Sequence, residues 1–366
     1  MAPGKPPLEA EIRRLISVAG SIPLSQYMAL CLSHPEHGYY ITHDPFGASG
    51  DFVTAPEISQ MFGELLGVWA VATWKLLGSP ERLQLIELGP GRGTMINDAL
   101  RAARVMPDFR RAIDVHLIEA SPLLRRRQRH TLGVTDIPVA WHDALTEVPE
   151  APAIILANEF LDAMPVNQAV KQKDGWYERV IKLDEIDNLV FGLAPEPIPH
   201  FERTLPPHVR EAPVGSIFEW RSNTLVLEIG RRMARAGGAA LLIDFGHVKS
   251  DIGETLQAVR THVFTDPLAA PGMTDLTAHV DFEAVAITAE SIGARVHGPI
   301  EQATFLRRLG IEARAGALRS VAPDRASEID SAVGRLTEGG RTGMGTMFKV
   351  IALSSPALAM LPGFDA

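Results

Sequence analysis

Cysteine is almost absent. The chain of 366 residues carries only Cys31, which excludes a disulfide framework and points to a reducing compartment. Within its apolar segment, that thiol reads as a small core hydrophobe rather than a nucleophile. No uninterrupted apolar run is long enough to span a bilayer, so no integral membrane segment is expected. Met1-Ala2-Pro3-Gly4-Lys5-Pro6-Pro7 lacks the apolar stretch of a secretory signal and the Arg- and Ser-rich pattern of a presequence. Positive charge is not in excess either. A net charge of −9 argues against a general nucleic-acid binder, which would carry a basic face. The run Arg125-Arg126-Arg127 with Arg129 reads as the solvated face of a helix. There is no internal repeat. What is present, 46% hydrophobic and 22% charged residues, is the composition of a globular protein with one large domain or two smaller ones.

One stretch organises the rest: Leu85-Ile86-Glu87-Leu88-Gly89-Pro90-Gly91-Arg92-Gly93-Thr94. It reads as a strand, a tight glycine turn and a helix N-terminus. Glycine is required where the backbone takes positive φ or touches a ligand, and the helix start offers free N–H groups and the positive end of its dipole. Strands are expected at 83–88, 113–119, 137–141, 153–157, 239–244, 294–298 and 346–352, with helices between most of them. Such alternation implies a parallel sheet with right-handed crossovers. Helices are expected at 8–19, 25–32, 54–77, 223–236 and 281–292, and several more within 301–338. Residues 166–200 read as a β-hairpin or meander, and proline-rich 196–215 as loop. The resulting division is a helical N-terminal extension and lid (1–80), the first half of an α/β core (81–165), an inserted β/loop subdomain on the substrate side (166–222), and the second half of the core with a helical insertion (223–366).

Ligands of open α/β sheets bind at the carboxyl ends of the strands, and Glu87, Glu119, Asp143, Asn158-Glu159 and Asp244 all fall there. A nicotinamide fingerprint would be G-x-G-x-x-G. Here the glycines are Gly89, Gly91 and Gly93, Thr94 takes the place of the third fingerprint glycine, and Glu87 precedes the turn. This E-x-G-x-G-x-G form resembles the first motif of class I S-adenosylmethionine-dependent methyltransferases. S-adenosyl-L-methionine has no pyrophosphate to grip; its ammonium wants acceptors and its ribose diol a carboxylate. Glu119 is placed to take the ribose hydroxyls, and Asp143 to meet the adenine amino group. Both are also readable as ordinary strand-end surface acids.

Further segments resemble the MidA family of class I methyltransferases over nearly the full length. They are His34-Pro35-Glu36-His37-Gly38-Tyr39-Tyr40, Gly50 to Ser59, Asn158-Glu159-Phe160-Leu161-Asp162-Ala163, Gly253 to Ala258, Asp275 to Phe282 and Met344 to Lys349. The resemblance implies a Rossmann-like methyltransferase that modifies protein arginine. Because the family includes the mitochondrial complex I assembly methyltransferase, it implies a protein substrate of the 49 kDa-type complex I subunit class. It further implies a cytoplasmic bacterial relative, or a matrix protein if the chain were processed. A homodimer is compatible with all of this.

Transfer to arginine is an in-line displacement, accelerated by holding the guanidinium nitrogen against the methyl. The cation calls for carboxylates that match its planar fork. Arginine is protonated in water, so an acid must take a proton. The candidates are Glu159, orienting the guanidinium, and Asp162, assisting it, beside Asn158; Asp162 is also readable as a turn cap. Asp51, Thr54 and Glu57 are expected on a loop that folds over the cofactor as a lid, the alternative being a segment that only covers the sheet edge. No metal site is expected: His34-x-x-His37, with His43 and Asp44 nearby, is broken by Pro35 and Gly38 and has no cysteine support. Two other functions compete, a nicotinamide oxidoreductase and a non-catalytic complex I assembly chaperone with a relic cofactor site.

Overall fold

The six residues Leu83–Leu88 (β1) are all buried, which is why they read as a nearly continuous apolar run: a parallel strand is covered on both faces. In the computed structural model, which describes residues 6–45, 53–133, 135–260, 263–340 and 343–364, β1 lies inside a mixed sheet. Its other strands are β2 (Ile113–Ile118), β3 (Val139–His142), β4 (Ala153–Asn158), β5 (Gly238–His247), β6 (Arg295–Glu301) and β7 (Phe348–Ser354). The spatial order is β6-β7-β5-β4-β1-β2-β3. β1 to β5 are parallel, and β7 runs antiparallel to both of its neighbours. The chain therefore steps outward from β1 to β3, returns to β4 on the other side of β1, and opens a crevice at the carboxyl ends of β1 and β4.

This sheet belongs to a unit formed by residues 46–161, 223–248 and 282–366. Its core includes Phe62, Trp69, Leu85, Ile96, Val115, Ile154, Leu241 and Val350. Helix α1 (Gln60–Leu76) lies close against α2 (Thr94–Ala102) because Gly63 and Gly67 remove two side chains. A Cβ on Gly63 would fall 2.7 Å from the Asp98 Cβ, and one on Gly67 2.5 Å from the Ala99 carbonyl oxygen. Buried Glu64 on α1 is paired with Arg101 of α2 at 3.0 Å and with both ends of the Arg314 fork at 2.7 and 2.9 Å. Arg314 sits on α5 (Ile311–Val321), following α3 (Pro122–Thr131) and α4 (Thr224–Arg235).

The helix expected over 54–77 is interrupted. Ala55–Ile58 makes one turn, Ser59 is extended at φ −161° and ψ 139°, and its side chain accepts the Met61 N–H at 3.2 Å to begin α1. A serine hydroxyl offers the backbone an alternative to the helix ladder, and here that alternative prevails. The strand expected at 83–88 is found there, the other expected strand edges differ by at most three residues, and a short helix, Pro107–Ala112, was not anticipated.

A second unit comprises residues 1–45, 162–222 and 249–281. Val166–Gln172, Gly175–Leu183, Leu189–Pro197 and Ile217–Arg221 form an antiparallel sheet, the meander expected for this stretch. Ile22–Pro23 from the N-terminal segment adds a strand against Ile181 and Val180. The proline-rich stretch is not all loop: it holds short helical turns at Phe201–Arg203 and Pro207–Arg210. Phe201, Leu205 and Val209 from it pack with Trp176 and Phe218. Asp275–Thr277 is a strand in a small three-stranded sheet with Gln257–Arg260 and Val263–Thr265. The two units cut across the four chain segments drawn from the sequence, because the N-terminal 45 residues group with the insertion.

Candidate active site

Beyond Leu88 the backbone turns on three glycines in left-handed conformation, Gly89 at φ 62°, Gly91 at 53° and Gly93 at 81°, a region that side chains resist. Gly93 is the N-cap of α2. A Cβ at Gly89 would meet the Phe160 ring at 2.6 Å, so the glycine turn packs directly on the segment that follows β4. The cleft at this point is lined by Thr54, Glu57, Glu87, Gly89, Gly91, Arg92, Thr94, Asn158 and Glu159 among others.

Two acceptors in this cleft are buried without a donor: Glu87 Oε2 and Asn158 Oδ1. An unmet buried acceptor costs about 1–3 kcal/mol, and two on one cleft call for a ligand that donates. Burial pushes the Glu87 carboxyl up to about 8, against a bond from the Ile96 N–H and with Glu119 adding to the rise. The Asn158 amide donates to Glu159 Oε1 at 3.0 Å, and the Ala55 N–H donates to the same oxygen at 3.1 Å. Glu159 itself stands at φ 51°, a conformation that costs a non-glycine residue about 1–3 kcal/mol and concentrates at functional sites. Thr94 donates to Glu57 Oε1 at 2.6 Å, tying the start of α2 to the helical turn that Thr54 introduces.

Glu119 closes β2 with both carboxylate oxygens engaged, by the Ser121 N–H at 2.8 Å and the Gln128 amide at 3.0 Å. Burial raises it to about 7 despite those bonds. Asp143 is 70% exposed at its side chain and ion-paired with Arg125 at 2.6 Å, so any contact with adenine is made by a carboxylate already shared. Neither residue lines the cleft. Asp162 lies in the other unit. Its carboxylate accepts the adjacent Ala163 N–H at 2.8 Å, the turn-capping alternative weighed for it. Burial lifts it to about 6, with Arg221 working the other way. Asp51 lies outside the described residues.

Gln128 is the residue that sequence reasoning missed. It is fully buried on α3. Its amide donates to the Gly91 carbonyl at 2.8 Å as well as to Glu119, and its oxygen accepts the Trp141 indole N–H at 2.9 Å. One side chain thus joins the glycine turn, the end of β2 and β3. Thr131 adds a bond to the Arg92 carbonyl at 2.8 Å. The signal was present but faint: within an arginine-rich helix, Leu124 and Gln128 share a face at i, i+4 spacing. In the other unit, His34 Nδ1 accepts the N–H groups of Glu36 and His37 at 3.2 and 3.1 Å, a turn-building role.

Comparison with known proteins identifies the architecture. A family model described as "Putative S-adenosyl-L-methionine-dependent methyltransferase" matches residues 65–300. The mitochondrial protein arginine methyltransferase NDUFAF7 homolog of Drosophila melanogaster is 36% identical over 96% of this chain and 86% of its own length. The mitochondrial protein arginine methyltransferase NDUFAF7 of Homo sapiens is 37% identical over 85% of this chain and 76% of its own. A crystal structure from Burkholderia thailandensis, bound to S-adenosyl-homocysteine, superposes with a TM-score of 0.86 at 30% identity, covering 98% of this chain and 94% of that one. The chain belongs to this family of methyltransferases, and its methyl donor is S-adenosyl-L-methionine.

Proposed function

We propose that this chain methylates the guanidinium of arginine in a protein substrate, and that the substrate is a subunit of respiratory complex I. The observation that carries the reading is the pair of buried acceptors, Glu87 Oε2 and Asn158 Oδ1, unmet beside a left-handed glycine turn. They suit the ammonium of a methionine-derived donor and have no counterpart in a pyrophosphate site, which needs donors instead. The relatives' names, protein arginine methyltransferase, supply the acceptor class. The resemblance of the sequence segments to the MidA family supplies the complex I target.

S-adenosyl-L-methionine supplies, when bound, an electrophilic methyl on a sulfonium. The protein's part is to hold and to neutralise. Glu87 and Asn158 would hold the ammonium, Glu119 the ribose hydroxyls, and Thr54 with the helical turn after it one wall of the cleft. Arg92 lines the same cleft. Glu159, its Oε1 fixed by two donors, accepts the guanidinium N–H groups, aims the nitrogen and takes the proton that arginine must lose. Exchanging Glu159 for glutamine removes that acceptor while preserving shape. E159Q is expected to abolish transfer and to leave S-adenosyl-homocysteine affinity within about threefold, since the cofactor's own contacts are untouched.

The test of the acceptor is mass spectrometry of complex I subunits from a strain lacking this chain. A lost arginine methyl mark, restored by the wild type and not by E159Q, is the expected result. An unchanged methylation pattern would refute the target, and calorimetry that detected NAD binding but no S-adenosyl-L-methionine binding would refute the reading as a whole.

A further inference from the structure

Asp244 ends the apolar run of β5 and is 1% exposed. Its carboxylate reaches back to the segment that follows β4. Oδ2 accepts the N–H groups of Phe160 at 3.2 Å and Leu161 at 2.9 Å, and Oδ1 accepts the Phe245 N–H at 2.9 Å. Glu159, immediately before those two donors, gives its own N–H to the Ile243 carbonyl at 2.9 Å and stands in the left-handed region. Successive N–H groups that follow a left-handed residue make a concave seat for an anion, and in this chain the anion is a side chain of the protein.

We propose that Asp244 is a positioning residue for methyl transfer: by seating its carboxylate on the Phe160 and Leu161 N–H groups, it holds Glu159 in the strained conformation from which Glu159 meets the substrate. The inference rests on the role proposed for Glu159. Asp244 does not line the cleft. The same turn carries the Phe160 ring against Gly89, so a backbone that relaxed here would move the acceptor side of the site first.

An asparagine at 244 keeps the shape but has one acceptor oxygen where three N–H groups are satisfied now, and its NH2 would face a donor. The test measures three quantities on the full chain and D244N. They are the initial rate of label transfer from radiolabelled S-adenosyl-L-methionine into a hypomethylated extract of a deletion strain, S-adenosyl-homocysteine affinity by calorimetry, and hydrogen exchange of the 159–161 amides. The expected result is a rate lowered about 10- to 100-fold, the scale of a small misplacement of a reacting group. Affinity should stay within threefold, and the Phe160 and Leu161 amides should lose protection. A rate within threefold of wild type overturns the proposal. So does an affinity that falls in step with the rate, which would make Asp244 a general prop of the cleft. If D244N does not fold, D244S, whose hydroxyl still accepts, carries the same outcomes. An E159Q arm separates the two ideas: a wild-type rate in E159Q removes Glu159 from the reaction, whereas a silent E159Q with a fully active D244N removes only Asp244.

Discussion

Buried Glu87, in the cleft, and buried Glu119, at the end of β2, tie the protein's behaviour to pH. Burial lifts Glu87 to about 8 and Glu119 to about 7, so the folded chain holds protons on them that the unfolded chain has released. That contribution to stability is complete below the ordinary carboxylate range and is lost as pH rises through the folded values. The cofactor-free protein should therefore melt at a lower temperature at about pH 8 than at about pH 5.5, and E87Q should flatten the difference. A donor ammonium favours ionised Glu87, so binding near neutral pH should release a proton. Calorimetry in buffers of different ionisation enthalpy measures that release, and a release of zero protons at neutral pH would contradict the role given to Glu87. Glu87 and Glu159 were legible in the sequence because each stands at a strand end beside a recognisable turn. Gln128 was not, because its importance lies in three partners, Gly91, Glu119 and Trp141, brought together only by folding.

Among the elements, helices α1 and α5 show why two helical glycines predict opposite outcomes. Gly67 sits where a Cβ would press into the Ala99 backbone at 2.5 Å, whereas a Cβ on Gly316 in α5 meets only the tip of Arg319 at 3.9 Å. Gly67→Ala is expected to destabilise by about 1–3 kcal/mol through overpacking. Gly316→Ala is expected to stabilise by up to about 1 kcal/mol through helix propensity. Urea denaturation of both variants checks the pair, and equal effects would mean that α1 and α2 are not held together by this close approach. Element positions were largely readable from apolar periodicity. The interruption at Ser59 was not, because a serine that can continue a helix or cap a new one is decided by what packs around the following turn.

For the whole molecule, the question is what covers the cofactor. Thr54 and Glu57 line the cleft and the Ala55 N–H binds Glu159, while residues 46–52 of the expected lid lie outside the described residues. If that lid closes over bound donor, limited proteolysis should show residues 38–57 protected when S-adenosyl-homocysteine is added, and unchanged cleavage would leave the segment as a cover for the sheet edge only. Among the described residues, no helix is long and apolar enough to cross a membrane. The N-terminal segment contributes Ile22–Pro23 to the insertion's sheet, a pairing that links residues far apart in the chain and leaves no local trace in either.

The sequence alone determined the alternating strands and helices, the left-handed glycine turn and the acids at the strand ends, because each rests on local rules of periodicity and backbone sterics. Those features were enough to select the donor. Only the tertiary structure decided which of these side chains line the cleft. Glu87 and Asn158 keep unmet acceptors there, while Asp143 is held by Arg125 and Asp162 by its own turn. It also turned Asp244 from one more strand-end acid into the anchor of the Glu159 turn. The reason is that hydrogen-bond satisfaction is a property of neighbours in space: a carboxylate's place in the sequence says where its backbone is, and only the fold says which donors reach it.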